Sequence, residues 1–147
     1  MFLFTTSCLH CCCCLLSVET VGDCYVAVAG LPVPRKDHAV VMAKFATDCL
    51  VKMKETVHRL ETSLGPDTGD LNLRVGLHSG PVTAGVLRGD KGRFQLFGDT
   101  MNTASRMESN GGKGRVHISG DTAACLEAAG KGKWVTERED QVIAKGM

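Results

Sequence analysis

Apolar and polar positions alternate from 71 to 78: Leu71, Leu73, Val75 and Leu77 are separated by Asn72, Arg74, Gly76 and His78. A period of two predicts a half-buried strand over 71–77, with His78 on its polar side as a solvated or hydrogen-bonded histidine. A different period precedes it. Ala39, Met42, Ala43, Ala46, Leu50, Met53, Val57, Leu60 and Leu64 recur in steps of three and four. That stripe predicts a long helix over 37–63, capped by Asp37 and stopped by Gly65-Pro66. Before it, β-prone runs at 18–21 and 25–28 flank the turn dipeptide Gly22-Asp23, which predicts a hairpin ended by Gly30-Leu31-Pro32. After 71–77, Ser79-Gly80-Pro81 turns the chain into a strand over 82–87, and another follows over 94–97.

Gly98-Asp99-Thr100 then opens a helix to about 109, with Asp99 or Thr100 as its cap and Asn110-Gly111-Gly112 as its stop. A strand over 116–118, a helix over 119–129 capped by Ser119 or Asp121, and a closing hairpin of 134–136 with 142–144 complete the chain. The order β-β-α-β-β-β-α-β-α-β-β predicts an α+β fold, an α/β sandwich with a largely antiparallel sheet and flanking helices.

A chain of 147 residues can bury one core. Its formal net charge of +1 argues against a nucleic-acid partner. Cysteines are unevenly placed: Cys8 and Cys11 to Cys14 crowd the first 14 residues, while Cys24, Cys49 and Cys125 are scattered. No spacing suggests a disulfide framework, so a reducing compartment is expected. Residues 1–17 contain no Lys, Arg, Asp or Glu, lack a signal-peptide pattern and are short for a membrane span. Four adjacent thiolates do not converge on one tetrahedral ion. The expectation is a leader outside the domain, an artefact at the assigned start of the gene, followed by a domain over 18–147.

Two features carry candidate chemistry. Asp23 sits in a tight turn between strands, where rigid backbone projects a hard carboxylate suited to Mg²⁺ or Mn²⁺. Asn102 and Arg106 lie four apart on one helix and share a face, leaving Met101, Ala104 and Met107 for the core.

The segments VETVGDCYVAVAGLP (18–32), GLHSGPVTAGV (76–86) and FQLFGDTMNTASRMES (94–109) resemble three signature segments of class III adenylate and guanylate cyclases, in the family's order. The resemblance implies a ferredoxin-like domain that dimerises head to tail, with active sites at the interface. It implies attack of a ribose 3′-oxygen on the α-phosphate of GTP or ATP, releasing pyrophosphate. Asp23 would be one of two aspartates binding two Mg²⁺ or Mn²⁺ ions. Asn102 would orient the ribose and Arg106 would stabilise the pentavalent phosphate. Lys145 would meet the triphosphate, with Arg88 and Arg93 as weaker candidates. Glu19 and Gln95 would read the base. The guanylate pair is Glu with Cys and the adenylate pair Lys with Asp, and this chain has neither. A carboxylate can accept from guanine N1-H and the 2-amino group together, so GTP is favoured.

The chain departs from the family in two places. No Phe-Asp-Ile-Val-Gly-Phe-Thr pattern supplies the other metal aspartate, and the Lys-Gly-Lys-Gly turn is cut within Ala144-Lys145-Gly146. The expectation is a domain truncated at both ends that is inactive alone; the alternative is a catalytically silent dimerisation module. Expected partners are a nucleoside triphosphate and a second cyclase domain, with a membrane reached only through regions outside this chain. The domain would face the cytoplasm, with membrane anchoring as one option for the full-length protein.

Overall fold

A computed structural model describes residues 15–21, 24–87 and 93–139. The order of elements is β1 (Leu15–Val21), β2 (Cys24–Ala29), α1 (His38–Leu64), β3 (Arg74–Leu77), β4 (Thr83–Leu87), β5 (Arg93–Phe97), α2 (Asp99–Ser109), β6 (Arg115–Ile118) and α3 (Gly120–Ala128). Short 3₁₀ turns occupy Pro66–Asp70 and Gly132–Trp134.

The period-two and period-four patterns meet in one core. β3 and β6 pair in parallel, Val75 opposite Val116 and Leu77 opposite Ile118. Val75 and Leu77 join Ala27 and Ala46 in a buried cluster, with Met42, Phe45 and Leu50 of α1 packed around it. α1 therefore lies on one face of β2, β3 and β6. α2 covers the other side of β3, where the alternation puts Arg74 and Gly76. The result is a helix–sheet–helix α+β sandwich. β1 pairs antiparallel with β2 and β4 with β5, so two of the three ladders among the described residues are antiparallel.

Several boundaries differ from the sequence expectation, each for a local reason. β1 begins at Leu15, three residues before Val18, because Leu15 to Ser17 find partners along Ala27 to Ala29. Asp37 occupies the cap position of α1 but makes no side-chain bond to the helix. Its two oxygens are held by Arg35 instead, Nε at 2.9 Å and Nη2 at 2.7 Å. That bidentate bond, the largest influence, holds the Asp37 carboxyl below its ordinary pKa. β3 starts at Arg74 rather than 71, because the amide of Leu71 closes the preceding turn on Thr68 O at 3.1 Å. No strand forms at 134–136. Trp134 ends a 3₁₀ turn closed by its amide on Lys131 O at 2.9 Å, and the Lys131 ammonium sits 5.3 Å from its ring centroid. The expected strand at 142–144 lies outside the described residues.

On α1, Cys49 is buried, and desolvation first, then the neighbouring Asp48 charge, pushes its thiol up to about 12. It is a core residue rather than a nucleophile.

The tightest contact is at Gly76. A Cβ there would overlap the Glu108 amide nitrogen and lie 2.7 Å from both Ala104 O and Glu108 Cα. All three obstacles are helix backbone, which cannot rotate away. Gly76→Ala should therefore destabilise the domain by about 2–3 kcal/mol as α2 is forced off the sheet. Urea unfolding measures this, and an unchanged midpoint would refute the close packing.

Candidate active site

The site is built outward from α2. Its cap position is taken by Gly98 at φ 130°, so neither Asp99 nor Thr100 caps it. Thr100 is buried instead, and its hydroxyl donates to Pro81 O. Asp99 lies in the first turn and Arg106 in the last, each at the end where its charge suits the helix dipole.

One face of α2 is buried through Thr100, Thr103, Ala104, Met107 and Glu108. The other carries Asn102, which is exposed, and Arg106, which is half-buried. The two residues expected to share a face do so. Among the described residues the Arg106 guanidinium has no ion-pair partner. Permanently charged and planar, it is available to an anion.

Three ties hold the helix in place behind that face. Gly76 allows close approach to β3. The Glu108 carboxylate, 8% exposed, meets Arg74 Nε of β3 at 2.9 Å. His117 of β6 lies with Nδ1 2.7 Å from Met107 O. Glu108, Arg74, Gly76 and His117 were not singled out as candidates from the sequence. The alternation at 72–78 already set Arg74 and Gly76 on one side of β3, which was the available signal.

The strand-borne candidates come together differently. Gln95 of β5 is half-buried and opposite Gly85 of β4. Glu19 of β1 pairs with Val26 at an irregularity between Ser17 and Glu19. β1 approaches β5, and β5 in turn contacts α2. The strands of Glu19 and Gln95 thus lie beside each other, and that of Gln95 lies next to the helix of Asn102 and Arg106. Asp23, Arg88 and Lys145 lie outside the described residues; Arg93 opens β5.

His78 is hydrogen-bonded rather than solvated, with Nδ1 2.8 Å from Ser119 Oγ and its side chain 11% exposed. The network continues from Ser119 to Thr122 at 3.2 Å and from Thr122 to Ser79 at 3.1 Å. It ties α3 to the end of β3. A cavity of about 80 Å³ adjoins it, lined by Val26 to Ala29, Met42, His78 and Thr100, among others. None of the candidate residues among those described lines that cavity, so the candidate site is the open face of α2.

Metal chemistry needs converging hard donors. Among the described residues no group of three or more His, Cys, Asp or Glu could hold a metal ion. The described part of the chain does not by itself fit a two-ion site.

Motif order, fold and the outward Asn102–Arg106 pair define a nucleotidyl cyclase catalytic domain. The family model for the adenylate and guanylate cyclase catalytic domain matches residues 9–147, and the chain belongs to that family. It is 44% identical over 132 residues to the receptor-type guanylate cyclase Gyc76C of Drosophila melanogaster, covering 88% of this chain but 8% of that protein. Among solved structures, it is similar to the guanylate cyclase domain of RhGC from Catenaria anguillulae in complex with GTP. That match has a TM-score of 0.64 at 41% identity, covering 77% of this chain and 58% of the other. It is also similar to the catalytic core of a rhodopsin-guanylyl cyclase with converted specificity in complex with ATPalphaS. Here the TM-score is 0.72 at 41% identity, over 90% of this chain and 66% of the other. Among the described residues no helix is long and apolar enough to cross a membrane.

The tie between α2 and β3 gives a stability prediction. Arg74→Met strands the Glu108 carboxylate in a buried position, at a cost of about 1–3 kcal/mol. Pairing it with Glu108→Gln removes the stranded charge and should recover part of that loss. Urea unfolding of the three variants checks it, and additive losses would mean the two side chains do not interact.

Proposed function

We propose that residues 18–147 are a partial catalytic domain that converts a nucleoside triphosphate, GTP in preference to ATP, to the 3′,5′-cyclic nucleotide and pyrophosphate. The observation that carries this reading is the outward face of α2, with Asn102 and Arg106 together and the strand of Gln95 alongside. The ribose 3′-oxygen attacks the α-phosphorus of the same nucleotide, and the bond to the leaving pyrophosphate breaks. Asn102 orients the ribose by hydrogen bonding. Arg106 meets two equatorial oxygens of the pentavalent phosphorus with its planar fork, where negative charge builds up. Lys145 holds the triphosphate, with Arg88 or Arg93 as a weaker second cation. Asp23 would hold a Mg²⁺ or Mn²⁺ ion, which would supply charge neutralisation at the phosphate oxygens. A second cyclase domain, in a homodimer or heterodimer packed head to tail, completes the site. The domain faces the cytoplasm, and a role in cyclic-nucleotide signalling rests on the family resemblance.

A specific observation favours a second reading. The chain contains no counterpart of the Phe-Asp-Ile-Val-Gly-Phe-Thr pattern, and one carboxylate is a poor site for two cations. On that reading the chain is a silent dimerisation module. The two readings separate in a turnover assay with Mn²⁺ and GTP. The chain alone is expected to make little or no cyclic nucleotide. The same chain extended by an aspartate-bearing upstream segment should gain turnover, and Arg106→Ala should then lower kcat by roughly two to four orders of magnitude with little change in KM. Robust turnover by the chain alone would contradict the missing-carboxylate argument. An extended domain that stays inactive would favour the silent module.

Base selection rests on hydrogen-bond complementarity. The Glu19 carboxylate would accept from guanine N1-H and the 2-amino group but face the N1 lone pair of adenine. Glu19→Lys with Gln95→Asp should therefore move the extended domain towards ATP, since lysine donates to adenine N1 and aspartate accepts from the 6-amino group. Each mismatched buried group is worth roughly 1–3 kcal/mol, so the kcat/KM ratio should move by about two orders of magnitude. A wild-type preference for ATP would refute the role of Glu19. An unchanged ratio in the double variant would mean that neither position contacts the base.

A further inference from the structure

The chain leaves α2 through Asn110-Gly111-Gly112, and packing dictates the glycine at 111. A Cβ at Gly111 would lie 3.0 Å from Glu108 O, 3.2 Å from Met107 O and 3.3 Å from His117 Cβ. Those atoms belong to helix backbone and to the root of a side chain, so any other residue crowds the joint between α2 and β6. The same bareness has a chemical effect. With no side chain beside it, the Gly111 nitrogen is unshielded from the carboxamide of the residue before it. Of the three asparagines in the chain only Asn110 precedes glycine; Asn72 precedes Leu73 and Asn102 precedes Thr103. Asn110 is also exposed to water.

The folded turn holds the reacting atoms apart. Asn110 has ψ 3°, which sets the Gly111 nitrogen beside Asn110's own amide nitrogen and away from its side chain. The Gly111 amide donates to Glu108 O at 2.9 Å, and the Asn110 amide donates to Arg106 O at 3.0 Å. Asn110 Nδ2 donates to the same Arg106 oxygen at 2.8 Å. Turning ψ also moves the Asn110 carbonyl, and that oxygen is held from outside the helix. After the 3₁₀ turn at Trp134 the chain runs over residues 135–139 without joining a strand. Arg138 of this strap donates from Nη1 to Asn110 O at 2.9 Å, and the same nitrogen lies 3.4 Å from His117 Nε2.

We propose that Asn110 is a deamidation site whose rate is set by opening of the last turn of α2, with Arg138 as one of the bonds that keep it shut. In the open turn the Gly111 nitrogen gives its proton to water and its electron pair attacks Asn110 Cγ. The new N–Cγ bond closes an imide ring, the Cγ–Nδ2 bond breaks, and that nitrogen leaves as ammonia. Water then opens the ring at either carbonyl. One opening leaves aspartate at 110; the other leaves isoaspartate, with the main chain routed through the former side chain. The sum is one water consumed and one ammonia released, with no change of oxidation state. Either product sets a carboxylate at the negative end of the helix dipole and takes the Nδ2 donor away from Arg106 O. The turn that carries Arg106 is thereby loosened.

The test incubates the full chain in mildly alkaline buffer, folded and in urea, beside Arg138→Ala, and maps its peptides by mass spectrometry. Deamidation reads as a gain of about one dalton, NH₂ exchanged for OH. The peptide of Asn110 should gain it while those of Asn72 and Asn102 do not. Its rate should be at least about tenfold lower in the folded chain than in urea, because reaction needs the turn open. Arg138→Ala should react faster than wild type when folded and at the same rate in urea. Asn110→Asp, which carries one product from the start, should melt a few degrees below wild type. No gain at Asn110 in the folded chain after prolonged incubation would overturn the site. Equal rates folded and in urea would overturn the gating, and gains at Asn72 or Asn102 as fast as at Asn110 would remove the part played by Gly111. An unchanged folded rate in Arg138→Ala, or a faster one accompanied by faster amide exchange over the whole chain, would overturn the local role of Arg138. An unchanged melting temperature in Asn110→Asp would overturn the loosening of the turn.

Discussion

The helix that carries Asn102 and Arg106 lies where it does because β3 offers it a glycine. At Gly76 the backbones of strand and helix come into direct contact, a distance that any side chain would increase. The remaining contacts on that side of the sheet follow from this approach. Arg74, two residues away on the same side of β3, becomes close enough to reach Glu108, and His117, opposite Gly76 across the ladder, reaches Met107 O. A helix held by its backbone and by charged ties on one side leaves its opposite face free of packing duties. That separation lets two polar side chains be presented at fixed spacing without weakening the core.

The parts of this arrangement legible in the sequence were those governed by periodicity. The stripe from Ala39 to Leu64 and the alternation from Leu71 to Leu77 each report a face that must be buried, and α1 and β3 formed where those faces meet. Asn102 and Arg106 were legible for the same reason, because a four-residue spacing fixes a shared face whatever the surroundings. What escaped was decided by competition between local partners. Asp37 reads as a helix cap, but a guanidinium two residues away outbids the helix amides for its oxygens. Trp134 and Val135 favour a strand by composition, yet glycine at 132 and a lysine cation at 131 close a turn around the indole. Glu108 looks like an exposed helix residue until β3 places a cation against it. Long-range pairings of this kind have no local signature.

The candidate site divides along the same line. Motif order identified the residues, and the fold set β1 beside β5 and β5 beside α2. The strand of Gln95 therefore touches both the strand of Glu19 and the helix of Arg106, although Glu19 and Arg106 are 87 positions apart in the chain. His78 went the other way. A histidine within a signature segment invites a chemical role, but its hydrogen bond to Ser119 and its burial make it part of the joint between β3 and α3.

The turn at Gly132–Trp134 has an optical consequence. Trp134 is the sole tryptophan of the chain, and its indole is about half exposed, 49%, beneath the Lys131 ammonium. It stands four residues before Arg138, at the root of the strap. Its emission wavelength and quenching by added iodide or acrylamide therefore follow the environment of that one segment, with little background from the core. The protein thus carries a built-in reporter at the junction between α3 and the strap, read without attaching a label.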